Sequence, residues 1–145
     1  MKRLVPFLGA LVLALAPLAF IHPVRIQGES MAPTLLDGEL HVALRAWCAP
    51  SPKVGQVWVV RTPEGTAVKR VLASPGHRLA LTAGRLSLDD QFLNEPYVVF
   101  PENGQAGPWL ASGGYLLLGD NRPKSRDSRV WGPLPKETFE SLIIH

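Results

Sequence analysis

The chain has 145 residues, a length suited to one domain, and apolar residues make up 46% of it, enough for a sizeable core. Its net charge is only +3, and Lys2 and Arg3 precede every acidic residue, so nucleic acid is not an expected partner. The single cysteine, Cys48, excludes an intramolecular disulfide, and the histidines show no ligand spacing, so no metal site is expected either.

The first predicted element is a transmembrane helix. From Leu4 to Ile21 there are 18 residues without a charge. At about 1.5 Å per residue, such a helix spans about 27 Å, enough to cross a thin hydrocarbon core. Because Lys2 and Arg3 lie in front of it, we expect the N-terminus to stay in the cytoplasm and the rest of the chain to lie outside.

A cleaved secretory signal peptide is the alternative interpretation of this segment. The best cleavage site would follow Ala14-Leu15-Ala16, but Pro17 would then come directly after the cut. Proline lacks the N–H and restricts the residue before it, so it obstructs an extended scissile segment. The sequence therefore predicts an uncleaved anchor within residues 1–22, followed by an extracytoplasmic domain at residues 23–145.

After the anchor, short β-branched and apolar runs alternate with turn signals, which predicts a mostly β, antiparallel domain. The predicted strands are Val24–Gln27, Glu39–Leu44, Gln56–Arg61, Ala67–Leu72, Arg85–Leu88, Gln91–Leu93, Pro96–Phe100 and Tyr115–Leu118. Asp89-Asp90 separates two of these runs and indicates a hairpin. Pro101–Gly114 is rich in glycine and proline and is predicted to be a loop.

Three segments contain residues that could carry chemistry. The first is GESMAPTL, in which Gly28 lets the backbone turn and Pro33 forces the residue before it to be extended, so that Ser30 lies in a short, stiff loop. A serine in a turn is usually a plain surface residue, and the loop alone would not indicate more.

The second segment is AVKRVL, where strand alternation places Lys69 on the same face as Ala67 and Val71. A lysine among apolar neighbours is costly unless it becomes neutral, and a neutral lysine is a competent base. An edge-strand lysine that reaches solvent is the alternative.

The third segment is the run GDNRPKSRDSR, from Gly119 to Arg129, which follows the predicted buried strand Tyr115–Leu118. A solvated loop and a phosphate-binding basic patch are both possible interpretations. Asp120 and Asp127 dilute the positive charge, and no aromatic residues are interleaved to stack on bases. Small hydroxyl residues between carboxylate and guanidinium groups instead favour a hydrogen-bonded network that supports a site.

Taken in order behind an anchor, GESMAPTL, VKRVLASPG and GDNRPKSRDSRVWGPLP resemble the bacterial type I signal peptidases, from the anchor to Pro135. These are membrane-anchored serine proteases with a Ser/Lys dyad. The segment VGQVWV is similar to a family strand that usually has Asp where Gln56 stands. LNEPY resembles the end of a family hairpin, and the compact length matches the short members.

The resemblance implies that Ser30 is the nucleophile and Lys69 the general base. It also implies that Ser125 orients the lysine, and that Asp127 and Arg129 hold the framework of the site. The Ser30 N–H would contribute to the oxyanion hole. Some members carry a serine two residues before the nucleophile, whereas this chain has Gly28, so the resemblance does not identify a second oxyanion donor.

The implied reaction is removal of signal peptides from secreted preproteins, without a metal or cofactor. The expected partners are a preprotein bound as an extended strand and the lipid bilayer, in which tethering raises the effective concentration of an anchored substrate. A Ser/Lys peptidase specialised for conjugation or pilin maturation is the nearest alternative. A membrane-tethered module without catalysis is another, although intact Ser30 and Lys69 argue against it.

Overall fold

The computed structural model describes residues 19–99 and 104–145, which form an antiparallel β domain with little helix. The strands are β1 (Ile21–Arg25), β2 (Leu40–Arg45), β3 (Val57–Thr62), β4 (Gly65–Ala73), β5 (Arg78–Thr82), β6 (Arg85–Leu88), β7 (Gln91–Phe92), β8 (Gln105–Leu110), β9 (Leu116–Leu118) and β10 (Phe139–Ile144). A single α-helical turn, α1 (Ser128–Trp131), and two 3₁₀ turns, Arg122–Lys124 and Lys136–Thr138, complete the described elements. The predicted antiparallel β domain is confirmed.

The strands form two sheets. The larger has the order β1-β2-β10-β3-β4-β9, and the smaller has the order β7-β6-β5-β8. Strand β3 is buried on both faces because Val57 and Val59 pack into one apolar cluster while Trp58 and Val60 pack into another. A third cluster, which includes Leu79 of β5, joins the small sheet to β4 and β9. These three clusters fix β4 and the ends of β1 and β9, from which the candidate site residues project.

Most of the predicted strands are present. The strand predicted at Val24–Gln27 begins earlier, at Ile21, and ends at Arg25. The hairpin at Asp89-Asp90 is confirmed, and both residues have positive φ, 47° and 66°, as the tight turn between β6 and β7 requires.

Three predictions about the strands were wrong or incomplete. The predicted loop contains β8, an edge strand of the small sheet, where Gly107 and Pro108 are tolerated because no further described strand pairs with it. Pro96-Tyr97 forms a turn rather than a strand. The prediction also missed β5 and β10, although β10 alternates buried and exposed residues as a half-buried strand should.

The predicted anchor falls on residues 4–21, and all but its last three residues lie outside the described ranges. Its final residue, Ile21, is the first residue of β1. Within residues 19–99 and 104–145, no helix has the length and apolar character needed to cross a membrane.

Candidate active site

Ser30 lies in a tight loop that follows β1 and is held from both sides. The Gly28 N–H donates to Asp37 Oδ1 at 2.7 Å, and a φ of +85° makes glycine the favoured residue there. Met31 and Leu35, which are 1% and 0% exposed, bury the far side of the loop in the core. The Asn121 N–H donates to the Ser30 carbonyl at 3.0 Å. The apolar anchors and this backbone contact together fix the direction of the Ser30 side chain.

Lys69 lies in β4 and is only 4% exposed, as the predicted apolar face requires. Trp58 of β3 lies directly opposite it, and Val71 shares its face two residues further along β4. Both neighbours are buried. The alternative of a lysine that reaches solvent is therefore wrong.

The structure brings Ser30 and Lys69 together. Lys69 Nζ donates to Ser30 Oγ at 2.8 Å and to the Val68 carbonyl at 3.0 Å. Burial lowers the pKa of Lys69 from 10.5 to about 8, against the opposing pull of the Asp127 and Asp120 carboxylates. A lysine with this pKa is half neutral near pH 8, and its lone pair is then within reach of the serine proton.

Asp127 organises the loop from Gly119 to Arg129, called here the support loop. It is fully buried and accepts hydrogen bonds from the Ser125 hydroxyl at 2.6 Å and from the Gly119 N–H at 3.0 Å. Arg129 Nε and Nη2 donate to its two carboxylate oxygens at 2.8 and 2.9 Å. Asp127 thereby joins Ser125, Gly119 and Arg129 into one hydrogen-bonded unit.

Ser125 lies near the Ser30 loop, with Gly119 between them. A Cβ built on Gly119 would approach the Ser30 carbonyl to 2.5 Å and the Ser125 hydroxyl even more closely. Among the described residues, the Ser125 hydroxyl donates its proton to Asp127, and no hydrogen bond joins Lys69 Nζ to Ser125 Oγ. With that proton committed, the remaining lone pairs of Ser125 are acceptors for an N–H donor.

Several residues of the site were not predicted from the sequence. Arg70, the neighbour of Lys69, forms a buried bidentate pair with Asp120 at 2.8 and 2.6 Å. Thr34 donates to the same carboxylate at 2.5 Å, and Asn121 Nδ2 donates to the Glu29 carbonyl at 3.1 Å. These bonds tie β4, the support loop and the Ser30 loop together. The only sequence signal for this network was the density of charged residues between Gly119 and Arg129. That density did not show which side chains pair with which.

Ser128 points away from Ser125 because Asp127 caps the helical turn α1 and Ser128 begins it. The buried hydroxyl of Ser128 accepts the Leu117 N–H of β9 at 2.9 Å.

These contacts predict different effects for the two serines. Ser125→Ala removes a hydrogen bond beside the dyad, so kcat/KM should fall about 10- to 1,000-fold. Ser128→Ala leaves the buried Leu117 N–H without its acceptor, so it should cost about 1–3 kcal/mol of stability with a smaller effect on turnover. Kinetics on one peptide, together with thermal melts followed by circular dichroism, measure both. If Ser128→Ala is catalytically the more damaging, Ser125 is not the supporting serine.

The backbone N–H of Ser30 points to no acceptor of the described domain. Within the described part of the chain, the Ser30 N–H has no hydrogen-bond acceptor, so it is available to a bound carbonyl oxygen. A side chain at Gly28 would extend into open space, so no atom of Gly28 beyond its backbone contributes.

Comparison with known proteins identifies what this arrangement resembles. The family model described as "Signal peptidase, peptidase S26" matches residues 1–143. A probable signal peptidase I-1 of Synechocystis sp. is 36% identical over 95% of this chain and 78% of its own length. Signal peptidase I U of Bacillus subtilis is 32% identical over 88% of this chain and 78% of its own length.

A solved structure shows a similar fold. The crystal structure of a signal peptidase I from Enterococcus faecalis superposes with a TM-score of 0.57 at 22% identity, covering 66% of this chain and 98% of that one.

Proposed function

Because the chain belongs to the signal peptidase family and is a peptidase that processes signal peptides, we propose that Ser30 and Lys69 are its catalytic dyad. The observation that carries the proposal is the 2.8 Å contact between Ser30 Oγ and the buried Lys69 Nζ. Neutral Lys69 takes the hydroxyl proton as Ser30 attacks the scissile carbonyl. The same proton then passes to the leaving amine, which departs as the N-terminus of the mature protein.

The second half of the reaction reuses the same base. Lys69 takes a proton from water as the water oxygen attacks the Ser30 ester. The bond between the acyl carbon and Ser30 Oγ then breaks, Lys69 returns the proton to Oγ, and the signal peptide leaves as a carboxylic acid that ionises in water. The oxyanion formed in each half accepts a hydrogen bond from the free Ser30 N–H. We infer that Ser125, with its proton directed at Asp127, accepts an N–H of Lys69 during the reaction, a hydrogen bond that the structure itself lacks, and so holds the amine lone pair toward Ser30. Arg129 holds Asp127 in place for this purpose.

A groove beside the dyad fits an extended substrate. A cavity of about 240 Å³ lies between β1 and the first half of β4, with Val24 and Gln27 on one side and Thr66 and Val68 on the other. Strand β1 is an edge strand, and β4 pairs with β9 only from Arg70 onward, so both present unpaired backbone to this gap. A peptide strand placed there bonds to these edges and brings its carbonyl to Ser30.

An apolar surface supports the proposed contact with a bilayer. Leu40, Val42 and Ile144 are 69%, 46% and 52% exposed, and the register places Val42 beside Ile144 on neighbouring strands. The ring of Trp47 packs against that of Phe20 with the centroids 5.2 Å apart, close to where the described residues begin. Exposed apolar side chains grouped in this way are typical of a membrane-contacting face. We therefore assign the lipid contact to this side of β1, β2 and β10.

The proposed topology predicts where each end of the chain lies. A reporter fused after His145 should behave as extracytoplasmic, and the mature protein should begin at or near Met1. Removing residues 1–22 should preserve some cleavage of soluble peptides but weaken processing of membrane-inserted precursors, since only these depend on sharing a bilayer. N-terminal sequencing that began at Pro17 or Phe20 would show that the anchor is a cleaved signal peptide.

Cleavage of preproteins tests the proposed function. The purified full chain in detergent is incubated with several unrelated preproteins, and the products are identified by mass spectrometry. We expect a single cut in each, following a small-x-small tripeptide. Processing of one substrate alone would favour a specialised peptidase, and intact preproteins would contradict the proposal.

A further inference from the structure

The segment that follows β7 places a largely covered carboxylate, that of Glu95, against the support loop. Glu95 Oε1 accepts from Arg122 Nη2 at 2.5 Å, and Glu95 Oε2 accepts from Arg122 Nη1 at 3.4 Å. The two side chains are only 11% and 5% exposed, unlike the surface ion pairs of the domain. Because two charges removed from water are costly unless their geometry is good, this pair holds two chain segments in one arrangement.

Tyr97 binds the same region from the other side. Its ring covers the Arg70 guanidinium, with Cζ 3.9 Å from the ring centroid, and its hydroxyl donates to Glu95 Oε1 at 3.1 Å. Burial and the neighbouring Glu95 carboxylate raise the pKa of Tyr97, so the hydroxyl remains protonated and stays a donor.

These contacts close a ring around Gly119 and Asp120. Arg70 pairs with Asp120, Arg122 Nε donates to the Gly119 carbonyl at 2.9 Å, and Glu95 and Tyr97 link the two arginines. Arg70 directly follows Lys69 in β4. Gly119 lies against both the Ser30 carbonyl and Ser125. The ring therefore touches each strand and loop that carries a dyad or support residue.

Glu95 and Tyr97 have no direct part in the proposed chemistry. Neither lines the groove between β1 and β4, and neither hydrogen-bonds to Ser30 or Lys69. Any influence on turnover must pass through Arg70 and Arg122.

We propose, on the basis of the function proposed above, that Glu95 and Tyr97 are positioning residues that hold Arg70 and Gly119-Asp120 so that Lys69 and Ser125 stay aligned with Ser30. A misplacement of about 1 Å at a reacting group can cost about 100-fold in rate, so such a ring has catalytic consequences.

The test compares Glu95→Gln, Tyr97→Phe and Tyr97→Leu on a soluble peptide that spans a small-x-small cleavage site. Glu95→Gln and Tyr97→Leu should lower kcat about 10- to 100-fold, with KM within about 2-fold because the groove is untouched. Tyr97→Phe keeps the ring over Arg70 and should lower kcat by less than about 5-fold.

The matched control is Glu64→Gln. Glu64 pairs with Arg126 of the support loop at the exposed surface, so this substitution should leave kcat unchanged.

The pH profile separates positioning from a loss of folded protein. Lys69 is faced by the charged groups Asp127, Asp120 and Arg129. Glu95 is faced by Arg122, Arg70 and the Tyr97 hydroxyl. If the ring loosens, water reaches Lys69 and its pKa rises, so the acidic limb of kcat/KM moves to higher pH in Glu95→Gln and Tyr97→Leu. If Glu95→Gln acted only by removing a negative charge, the pKa of Lys69 would fall and the acidic limb would move to lower pH. Partial unfolding would lower the rate without moving the limb.

Two results would overturn the inference. One is unchanged kcat in Tyr97→Leu and Glu95→Gln, and the other is a loss that only matches the unfolded fraction, with the limb unmoved. A Ser30→Ala enzyme assayed in parallel keeps the two proposals distinct. If it still cleaves, the proposed function fails and this inference fails with it. If it is inactive while Tyr97→Leu is fully active, this inference alone fails.

Discussion

Ser30→Ala should lower kcat/KM for a preprotein or peptide by at least about 10⁴-fold, because the alcohol that forms the ester is gone. Lys69→Met should have an effect of the same order, since methionine fills the same apolar space without a base. Lys69→Arg should also be inactive, because a guanidinium does not release its proton at usable pH. The double variant Ser30→Ala/Lys69→Met should be no worse than either single variant, as is expected of two groups that act as a unit.

The chain provides a matched control for this experiment. Lys136 Nζ donates to Ser51 Oγ at 3.1 Å on the exposed surface. Ser51→Ala and Lys136→Met remove this second Ser–Lys contact and should leave kcat/KM unchanged. Circular dichroism should show that all of the variants are folded. Substantial turnover by Ser30→Ala would refute the nucleophile assignment.

Gly119→Ala should lower kcat/KM by about 100-fold or more, although the change adds one methyl group. Its Cβ would lie 2.5 Å from the Ser30 carbonyl and closer still to the Ser125 hydroxyl, so the nucleophile loop or the support loop must move. A carbonyl held by the Asn121 N–H is not free to give way at low cost. Displacement of either loop separates Ser30, Lys69 and Ser125 from their productive geometry.

Gly113→Ala is the control for that variant. A Cβ at Gly113 would meet no atom within 4 Å, but its φ of +73° makes alanine strained there. Gly113→Ala should therefore lose about 1 kcal/mol of stability and retain its kcat/KM. If Gly119→Ala retains activity equally well, the close packing of Ser30 and Ser125 around Gly119 does not matter for turnover.

The antiparallel β fold was predictable because most of its strands are short apolar runs between turn residues. The hairpin at Asp89-Asp90 illustrates this, since aspartate tolerates the positive φ that a tight turn requires and so marks the turn from the local sequence alone. The edge strand β8 was not predictable, because Gly107 and Pro108 are typical of loops and only pairing with β5 makes them part of a strand. Edge pairing depends on a partner that is distant in sequence.

The candidate dyad was predictable for a different reason. Alternation with Ala67 and Val71 put Lys69 on an apolar face but left open a lysine that reaches solvent. The pairing of Lys69 with Ser30 was named through a family resemblance and not through spacing. The contacts of Arg70 with Asp120 and of Glu95 with Arg122 were not predictable, since each joins residues far apart in the chain. Charge density in a loop indicates a network, but it does not show which carboxylate meets which guanidinium.

The pH dependence of kcat/KM for peptide cleavage by the full chain, measured from about pH 6 to 10, tests the central claim most directly. Because burial lowers the pKa of Lys69 to about 8, the rate should rise about tenfold per pH unit below 8 and level off above it. Lys69→Met should show neither the rise nor the plateau, because it lacks the titrating base. A profile that levels off near 6.5, as for an unperturbed histidine, or that continues to rise past 10 would contradict a buried, neutral Lys69 as the base.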